Sequence, residues 1–237
     1  AQRMKKQQTR HLNGIRSLLA LHGIWTFQPL RRDWREQLER LQTADGRPLP
    51  PRLKAEITRE CERLHHLRGQ LKELAREDRA RRRAAKRSAK GKQPEEKTAL
   101  EQRAELIAHL KTLRGVGDAG ASVLADEVFF RGFENRQEVA GYVGLTPQPN
   151  SSGPREADQG LDKAGNALAR WMMIELAWRW LYFQPDSALS RWFHEQVGNA
   201  RGRLRRIKIV AMARKLLVAL WRYVTQGIVP EDAVTTA

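Results

Sequence analysis

Helical periodicity constrains the fold of this chain more than any other feature. Apolar residues recur at three- and four-residue spacings, and no segment sustains the apolar–polar alternation of a strand. The clearest pattern spans about three heptads of a and d positions, interrupted by Glu60: Leu53, Ile57, Leu64, Leu67, Leu71 and Leu74. We therefore predict a mainly α fold. An extended helical or coiled-coil arm would occupy residues 1–97, and a compact helical domain would occupy residues 98–237.

Four further helices follow from apolar spacing and from breaks in it. Residues 12–21 predict a first helix that ends near Gly23, and a proline-rich break follows at 47–51. A second apolar stripe at 100–110 could return along the arm across the break at 91–94. Residues 168–183 are apolar nearly all round, as in a helix at the centre of a core. A last helix is predicted over about 203–224.

Composition excludes several classes of protein. The sequence has no apolar run long enough to cross a membrane, and we recognise no secretion signal. Cys61 is the single cysteine, which excludes an internal disulfide framework and a zinc site built from several cysteines. We therefore expect a protein of a reducing compartment such as the cytoplasm, without a membrane partner.

Cations are concentrated in the first part of the chain. Residues 1–100 carry 26 Lys and Arg against 12 Asp and Glu, whereas residues 101–237 carry 18 against 15. Residues 79–92, RARRRAAKRSAKGK, contain eight cations and no acid. Such a run is typical of a solvated linker or of contact with a polyanion, and the sequence leaves both open. The residues of this basic run that we assign to nucleic-acid binding are Arg81, Arg82, Arg83, Lys86 and Arg87.

A glycine turn separates two predicted helices near residue 115. The string LRGVGDAG places Gly115 and Gly117 before a helix rich in small residues. Glycine permits positive φ and a close backbone approach, and the amides that open the next helix can hold a phosphate. We favour a helix-hairpin-helix at about 108–130 that contacts DNA through both glycines. The alternative is a tight turn used only for packing.

Residues 144–163 predict an exposed loop, because prolines and glycines preclude a regular helix there. The loop contains Ser151 and Ser152, followed by Gly153. A serine in a turn is more often a turn former than a nucleophile.

The start of the last helix is rich in cations, where Arg201 and Lys208 flank Arg203, Arg205 and Arg206. Cations there oppose the helix dipole, and either a bound phosphate or nearby acids such as Glu195 would remove the conflict.

Four strings occur in order along the second half of the chain: LRGVGDAGASVLADEV, YVGLTPQPNSSG, DKAGNALARWMMIELAW and QPDSALSRWF. Together they resemble the C-terminal domain of the insertion-sequence one-ten transposases, also called DEDD-plus-serine or bridge-RNA-guided recombinases. The resemblance is strongest over about residues 108–195.

This resemblance implies DNA transposition by recombination through a serine–phosphodiester intermediate. The nucleophile would be Ser152, with Ser151 as the alternative. The family's Lys-x-Gly-Asn string falls on Lys163, Gly165 and Asn166, and its following arginine falls on Arg170. Lys163, Asn166 and Arg170 would bind nucleic acid, together with Arg155 in the loop. Asp162 departs from the family pattern, in which we expect Ser or Thr.

The resemblance also implies what this chain would need from elsewhere. Full-length members carry an N-terminal RNase-H-like domain with four Mg²⁺-binding carboxylates, which we do not find here. We therefore expect a C-terminal portion that has no cofactor of its own and is inactive as an isolated fragment, with Mg²⁺ only in the missing domain. Expected partners are DNA, further copies of the chain and, as in some members, a structured guide RNA.

Two functions from other classes remain open at this point. One is a non-catalytic DNA-binding module that uses the helix-hairpin-helix. The other is a helical RNA-binding adaptor, because the positive charge lies on the arm rather than beside the serines.

Overall fold

A computed structural model describes residues 2–146 and 164–236 of the chain. The described residues are helical and contain no β-strand, only two isolated bridges. The prediction of a mainly α fold is confirmed. The chain divides into two compact units, Ala1–Arg83 and Ala84–Ala237, each with its own hydrophobic core.

The first unit is built on three helices: α1 (Gln2–Ala20), α2 (Trp34–Arg40) and the first part of α3 (Pro51–Ser88). α1 ends three residues before Gly23, whose φ of +72° suits glycine. α3 begins with proline, which is tolerated at the first helical position because its missing N–H would have no partner there. The buried side chains of this core are Ile15, Leu19, Ile24, Phe27, Trp34, Leu38, Leu49, Ile57, Cys61 and Leu64.

Only the first part of the predicted heptad stripe is buried in the core. Ile57 and Leu64 are fully buried, whereas Leu74 is 42% exposed. Glu60 lies 2.6 Å from His11 Nδ1 and also accepts a hydrogen bond from Arg63. Burial raises the pKa of Glu60, but the hydrogen bonds from His11 and Arg63 outweigh it and leave the pKa below its ordinary value. The polar interruption of the stripe therefore has its own partners.

In the described residues of the second unit, six α-helices follow the end of α3: α4 (Ala99–Leu110), α5 (Asp118–Glu127), α6 (Arg136–Val143), α7 (Ala167–Phe183), α8 (Ala188–Val197) and α9 (Arg203–Gln226). A 3₁₀ turn at Pro94–Glu96 precedes α4, which begins with a capping box between Thr98 and Glu101. α4 packs on α5 and α9, and Ile107 and Leu110 of its apolar stripe lie in the core of this unit, whereas Leu100 is exposed.

α7 lies at the centre of the second core, as its apolar sequence predicts. It packs against α5, α6 and α9, and Met173, Leu176 and Trp180 are buried. Trp171 is an exception to the expected burial of the tryptophans in this region, because its side chain is 55% exposed. An all-apolar sequence cannot show which side of such a helix lacks a neighbour.

Candidate nucleic-acid and serine site

The two predicted serine nucleophiles lie in residues 147–163, outside the described residues, as do Arg155 and Lys163. The structure does describe the two ends of this segment. The backbone N–H of Asn166 donates to the carbonyl oxygen of Tyr142 at 2.9 Å. The residues that precede and follow the serine segment therefore meet between α6 and the start of α7.

Glycines allow the backbones to approach closely at this meeting point. Gly144 ends α6 with a φ of +71°, and Gly165 has a φ of +88°. A Cβ on Gly165 would lie 2.8 Å from the Tyr142 carbonyl oxygen and 2.9 Å from the Gly144 nitrogen. Larger side chains would separate the two ends, so Gly165 has a structural reason to be glycine.

The side chain of Asn166 is engaged on both of its polar atoms. Its Oδ1 accepts hydrogen bonds from the backbone N–H groups of Leu168 and Ala169, at 3.0 and 3.1 Å, and caps α7. Its Nδ2 donates to Glu127 Oε2 at 2.8 Å, which links it to the end of α5. Asn166 thus fixes the start of α7, and its predicted contact with nucleic acid would be additional to this role.

Two guanidinium groups lie beside the ends of the serine segment. Arg170 Nη1 donates to the carbonyl oxygen of Ala164, the first residue described after that segment, at 3.2 Å. Arg131 lies 4.9 Å from the centre of the Tyr142 ring, and its side chain is exposed. Arg131 lies outside every sequence motif and meets Tyr142 only in the folded chain, so no sequence pattern marks it.

The Gly115–Gly117 turn is packed against the last turn of α7. Gly115 has a φ of +97°, and a Cβ there would lie 3.2 Å from the Cβ of Phe183. Arg179 Nε donates to the carbonyl oxygen of Gly115 at 3.3 Å. Gly117 caps α5 in an extended conformation, and Lys111 pairs with Asp118 at 2.7 Å in the first turn of that helix. Packing therefore explains Gly115, while Arg114 and Arg179 leave two exposed guanidiniums beside the turn.

The basic run lies on the last turns of α3 and in the segment that follows. Four of its predicted nucleic-acid contacts are exposed: Arg81, Arg83, Lys86 and Arg87. Arg82 is less available, because its Nη2 lies 2.9 Å from Asp78 Oδ2 one helical turn earlier. The run therefore presents exposed cations that a polyanion could neutralise.

At the end of the basic run, Lys92 forms an ion pair with an acidic residue of the second unit. Its Nζ donates to Oε1 of the buried Glu101 at 2.7 Å. Hydrogen bonds from Lys92, from Ser88 and from the backbone of Thr98 lower the pKa of Glu101 to about 2. Lys92 thus anchors the end of the basic run to the start of α4.

The start of α9 presents Arg203, Arg205 and Arg206 to solvent. Gly202 caps this helix without a side-chain hydrogen bond. The Arg205 guanidinium lies 5.1 Å from the centre of the Trp178 ring, which orients it. Lys208 donates to Gln196 at 2.9 Å rather than to the neighbouring Glu195. The amides and cations here can receive an anion.

Within residues 2–146 and 164–236, no three His, Cys, Asp or Glu side chains are grouped to hold a metal ion. No described helix is both long and apolar enough to span a membrane.

Comparison with known proteins first indicates the class of protein to which this chain is similar. Residues 107–191, which include the glycine turn, the serine segment and α7, match a family model described as Transposase IS116/IS110/IS902 family. Over these residues the chain is similar to transposases of that family.

Individual relatives agree with this class over nearly the whole chain. An inferred transposase of Sinorhizobium fredii (strain NBRC 101917 / NGR234), y4rJ, is 46% identical over 232 residues, 98% of this chain and 57% of y4rJ. The transposase for insertion sequence element IS1111A of Coxiella burnetii (strain RSA 493 / Nine Mile phase I) is 26% identical over 227 residues, 94% of this chain and 56% of its own length. The chain is thus similar to transposases of the IS110/IS116 family, and it spans little more than half the length of these relatives.

Proposed function

We propose that this chain is the DNA-binding and serine-bearing portion of a DNA transposase. In this proposal Ser152, or Ser151 in its place, forms a covalent serine–phosphodiester intermediate with the DNA. The observation that carries it is the meeting of the two ends of the serine segment between Tyr142 and Asn166. This meeting point lies within the residues that match the transposase family.

The proposed step exchanges one phosphoester bond for another. The serine Oγ attacks the phosphorus, an Oγ–P bond forms, and the P–O bond to one deoxyribose breaks. The serine proton ends on the departing sugar oxygen, and attack by a second sugar hydroxyl reverses the exchange. Rejoining thus needs no external energy source, because each bond broken is replaced by one of the same kind.

Cations beside the serine segment support this chemistry. Phosphoryl transfer depends mainly on positioning and on neutralising the non-bridging oxygens. Arg170 and Arg131 flank the ends of the segment, and we assign Arg155 and Lys163 to the same clamp from the sequence. A serine hydroxyl is a weak nucleophile, so a positioned phosphate is a requirement of the proposal.

Three further surfaces, all outside the serine segment, would also bind the DNA. They are the glycine turn with Arg114 and Arg179, the exposed part of the basic run, and the cationic start of α9. We also propose that the protein acts as a homo-oligomer, with a structured guide RNA as in some members of the family that it resembles. Mg²⁺ enters this proposal only with the carboxylate domain of full-length members.

The covalent intermediate is tested best in a chimera in which this chain replaces the matching segment of y4rJ. Phosphorothiolate-substituted element-end DNA traps the adduct, which is then resolved on a denaturing gel. We expect an adduct with the unsubstituted chimera and with Ser151→Ala, and none with Ser152→Ala. Loss only with Ser151→Ala would move the role to that residue, and adducts with both variants would overturn the serine mechanism.

The isolated chain is a separate arm of the same experiment. We expect it to shift the DNA on a native gel without transferring strands, because the chain spans only 57% of y4rJ. Strand transfer by the isolated chain would contradict this expectation. If the chimera binds DNA but forms no adduct, the non-catalytic DNA-binding module is the better description.

A further inference from the structure

The first unit contains a surface cavity of about 780 Å³ that the transposition chemistry does not use. It lies between the end of α1, the segment that follows it and one side of α3. Arg16, Trp25, Arg31 and Arg68 line it together with eight uncharged residues. A cavity of this size can hold a nucleotide with room for the chain on either side.

Trp25 presents its indole to solvent at the rim of this cavity. Its side chain is 79% exposed, whereas Trp34 in the same unit is 2% exposed. An indole this open beside a cavity is available to stack on a partner.

Two of the three arginines in the cavity have guanidinium N–H groups that are available to a ligand. Arg68 Nη1 donates to the carbonyl oxygen of Leu30 at 2.8 Å, which fixes the guanidinium while other N–H groups remain. Arg16 is exposed on α1. Arg31 differs, because a two-point pairing with Asp33 occupies it.

Charge selects the kind of partner. No acidic side chain lines the cavity, and residues 1–83 carry 21 Lys and Arg against 10 Asp and Glu. An exposed aromatic ring that lines the same cavity as guanidiniums is suited to bind single strands, with a base on the ring and phosphates on the cations. In a duplex, neighbouring base pairs cover both faces of each base.

We propose that this cavity binds an unpaired nucleobase of a single-stranded nucleic acid, stacked on Trp25, with the flanking phosphates on Arg16 and Arg68. Neither base stacking nor phosphate pairing distinguishes ribose from deoxyribose. Single-stranded RNA and DNA of the same sequence therefore bind with similar affinity. The proposal concerns the first unit only and does not depend on the serine chemistry.

The stacking contact can be tested on the whole 237-residue chain with a short oligonucleotide that carries 2-aminopurine at its centre. Stacking on Trp25 quenches the probe. Trp25→Ala should abolish most of this quenching and weaken binding about 5- to 100-fold. Trp25→Phe should restore quenching, and Leu21→Ala, an exposed neighbour outside the cavity, should leave it unchanged.

Competition and salt dependence complete the test. Unlabelled single strands of RNA and DNA should reverse the quenching equally, and duplex of the same sequence should not. Arg16→Ala should lower the slope of log affinity against log salt by about 0.7, the value for one phosphate contact to a single strand. Arg59→Ala, an exposed α3 cation outside the cavity, should leave the slope unchanged.

Three results would overturn the proposal, given that thermal unfolding by circular dichroism shows every variant to be folded. They are undiminished quenching with Trp25→Ala, equal competition by duplex, and reversal by polyglutamate at the same charge concentration. The last would assign the cavity to an acidic peptide instead.

Discussion

Gly165 occupies a position where the backbone itself excludes any side chain. The two atoms that a Cβ would meet, the Tyr142 carbonyl oxygen and the Gly144 nitrogen, belong to the main chain and cannot rotate away. We expect Gly165→Ala to lower the unfolding free energy by about 2–4 kcal/mol, because strain at positive φ adds to the steric overlap. Urea unfolding followed by tryptophan fluorescence measures this decrease.

Gly141 provides the matched control on the neighbouring helix. It lies in the interior of α6, and a Cβ there would have no atom within 4 Å. Gly141→Ala should therefore raise the unfolding free energy by about 0.5–1 kcal/mol through helix propensity. Equal effects of the two substitutions would show that the meeting of the two ends does not restrict Gly165.

The Lys92–Glu101 pair makes the stability of the second unit depend on pH. The folded pKa of Glu101, about 2, lies below the ordinary value of 4.5. The ionised carboxylate therefore stabilises the fold above about pH 4.5, and this contribution is lost as the pH falls from there towards 2. Lys92→Met removes the largest cause of the shift. The variant should be less stable than the wild type at pH 7, and the difference should shrink below pH 4.5.

Urea midpoints measured between pH 7 and pH 2.5 give this dependence directly. Lys90→Met is the control, since it removes the same charge two residues away from an exposed position. Its difference from the wild type should not vary over the same pH range. A Lys92→Met difference that stays constant with pH would mean that the ion pair does not set the pKa of Glu101.

At the scale of elements, substitutions at the end of α3 can test whether the basic run binds nucleic acid. Arg81, Arg83, Lys86 and Arg87 are exposed, and glutamine at all four positions keeps a good helix former in place. For every duplex phosphate that the variant no longer neutralises, the slope of log affinity against log salt should fall by about 0.9. Fluorescence anisotropy with labelled duplex DNA, from 50 to 200 mM salt, measures that slope.

α1 offers a control with the same change of charge. Four of its cations, Arg3, Lys5, Lys6 and Arg10, are also exposed. Glutamine at these positions removes four charges without altering the basic run, so the slope should change by less. If both sets of substitutions lower the slope equally, the basic run contributes only through net charge. The run would then be a linker and not a nucleic-acid-binding surface.

Element positions were predictable where one periodic pattern decided them. The starts of α7 and α9 agree with the sequence within one residue, because an apolar face marks each helix and Asn166 also caps α7. Sequence analysis did not identify α2, α6 and α8, which have 7, 8 and 10 residues and no long stripe. Tertiary packing holds helices this short, so local spacing gives little sign of them.

At the scale of the whole molecule, the candidate site depends on interactions between distant parts of the chain. Asn166 meets Glu127, and Arg179 meets Gly115, across 39 and 64 residues. The motifs marked Asn166 and Gly115 as important but gave no sign of these partners. Whether Ser152 is the nucleophile stays a prediction, since residues 147–163 lie outside the described part of the chain.

The division into two units predicts that residues 84–237 fold on their own. Their core is formed by α4 to α9, with Trp180 and Phe193 almost fully buried, and Ala85 and Ala89 are buried at the end of α3. A fragment that begins at Ala84 keeps this core and the Lys92–Glu101 pair. We expect a single cooperative urea transition, and the acid sensitivity of the Lys92–Glu101 pair should persist in the fragment. A broad transition, or binding of a hydrophobic dye at neutral pH, would show that the second core needs residues 1–83 to close.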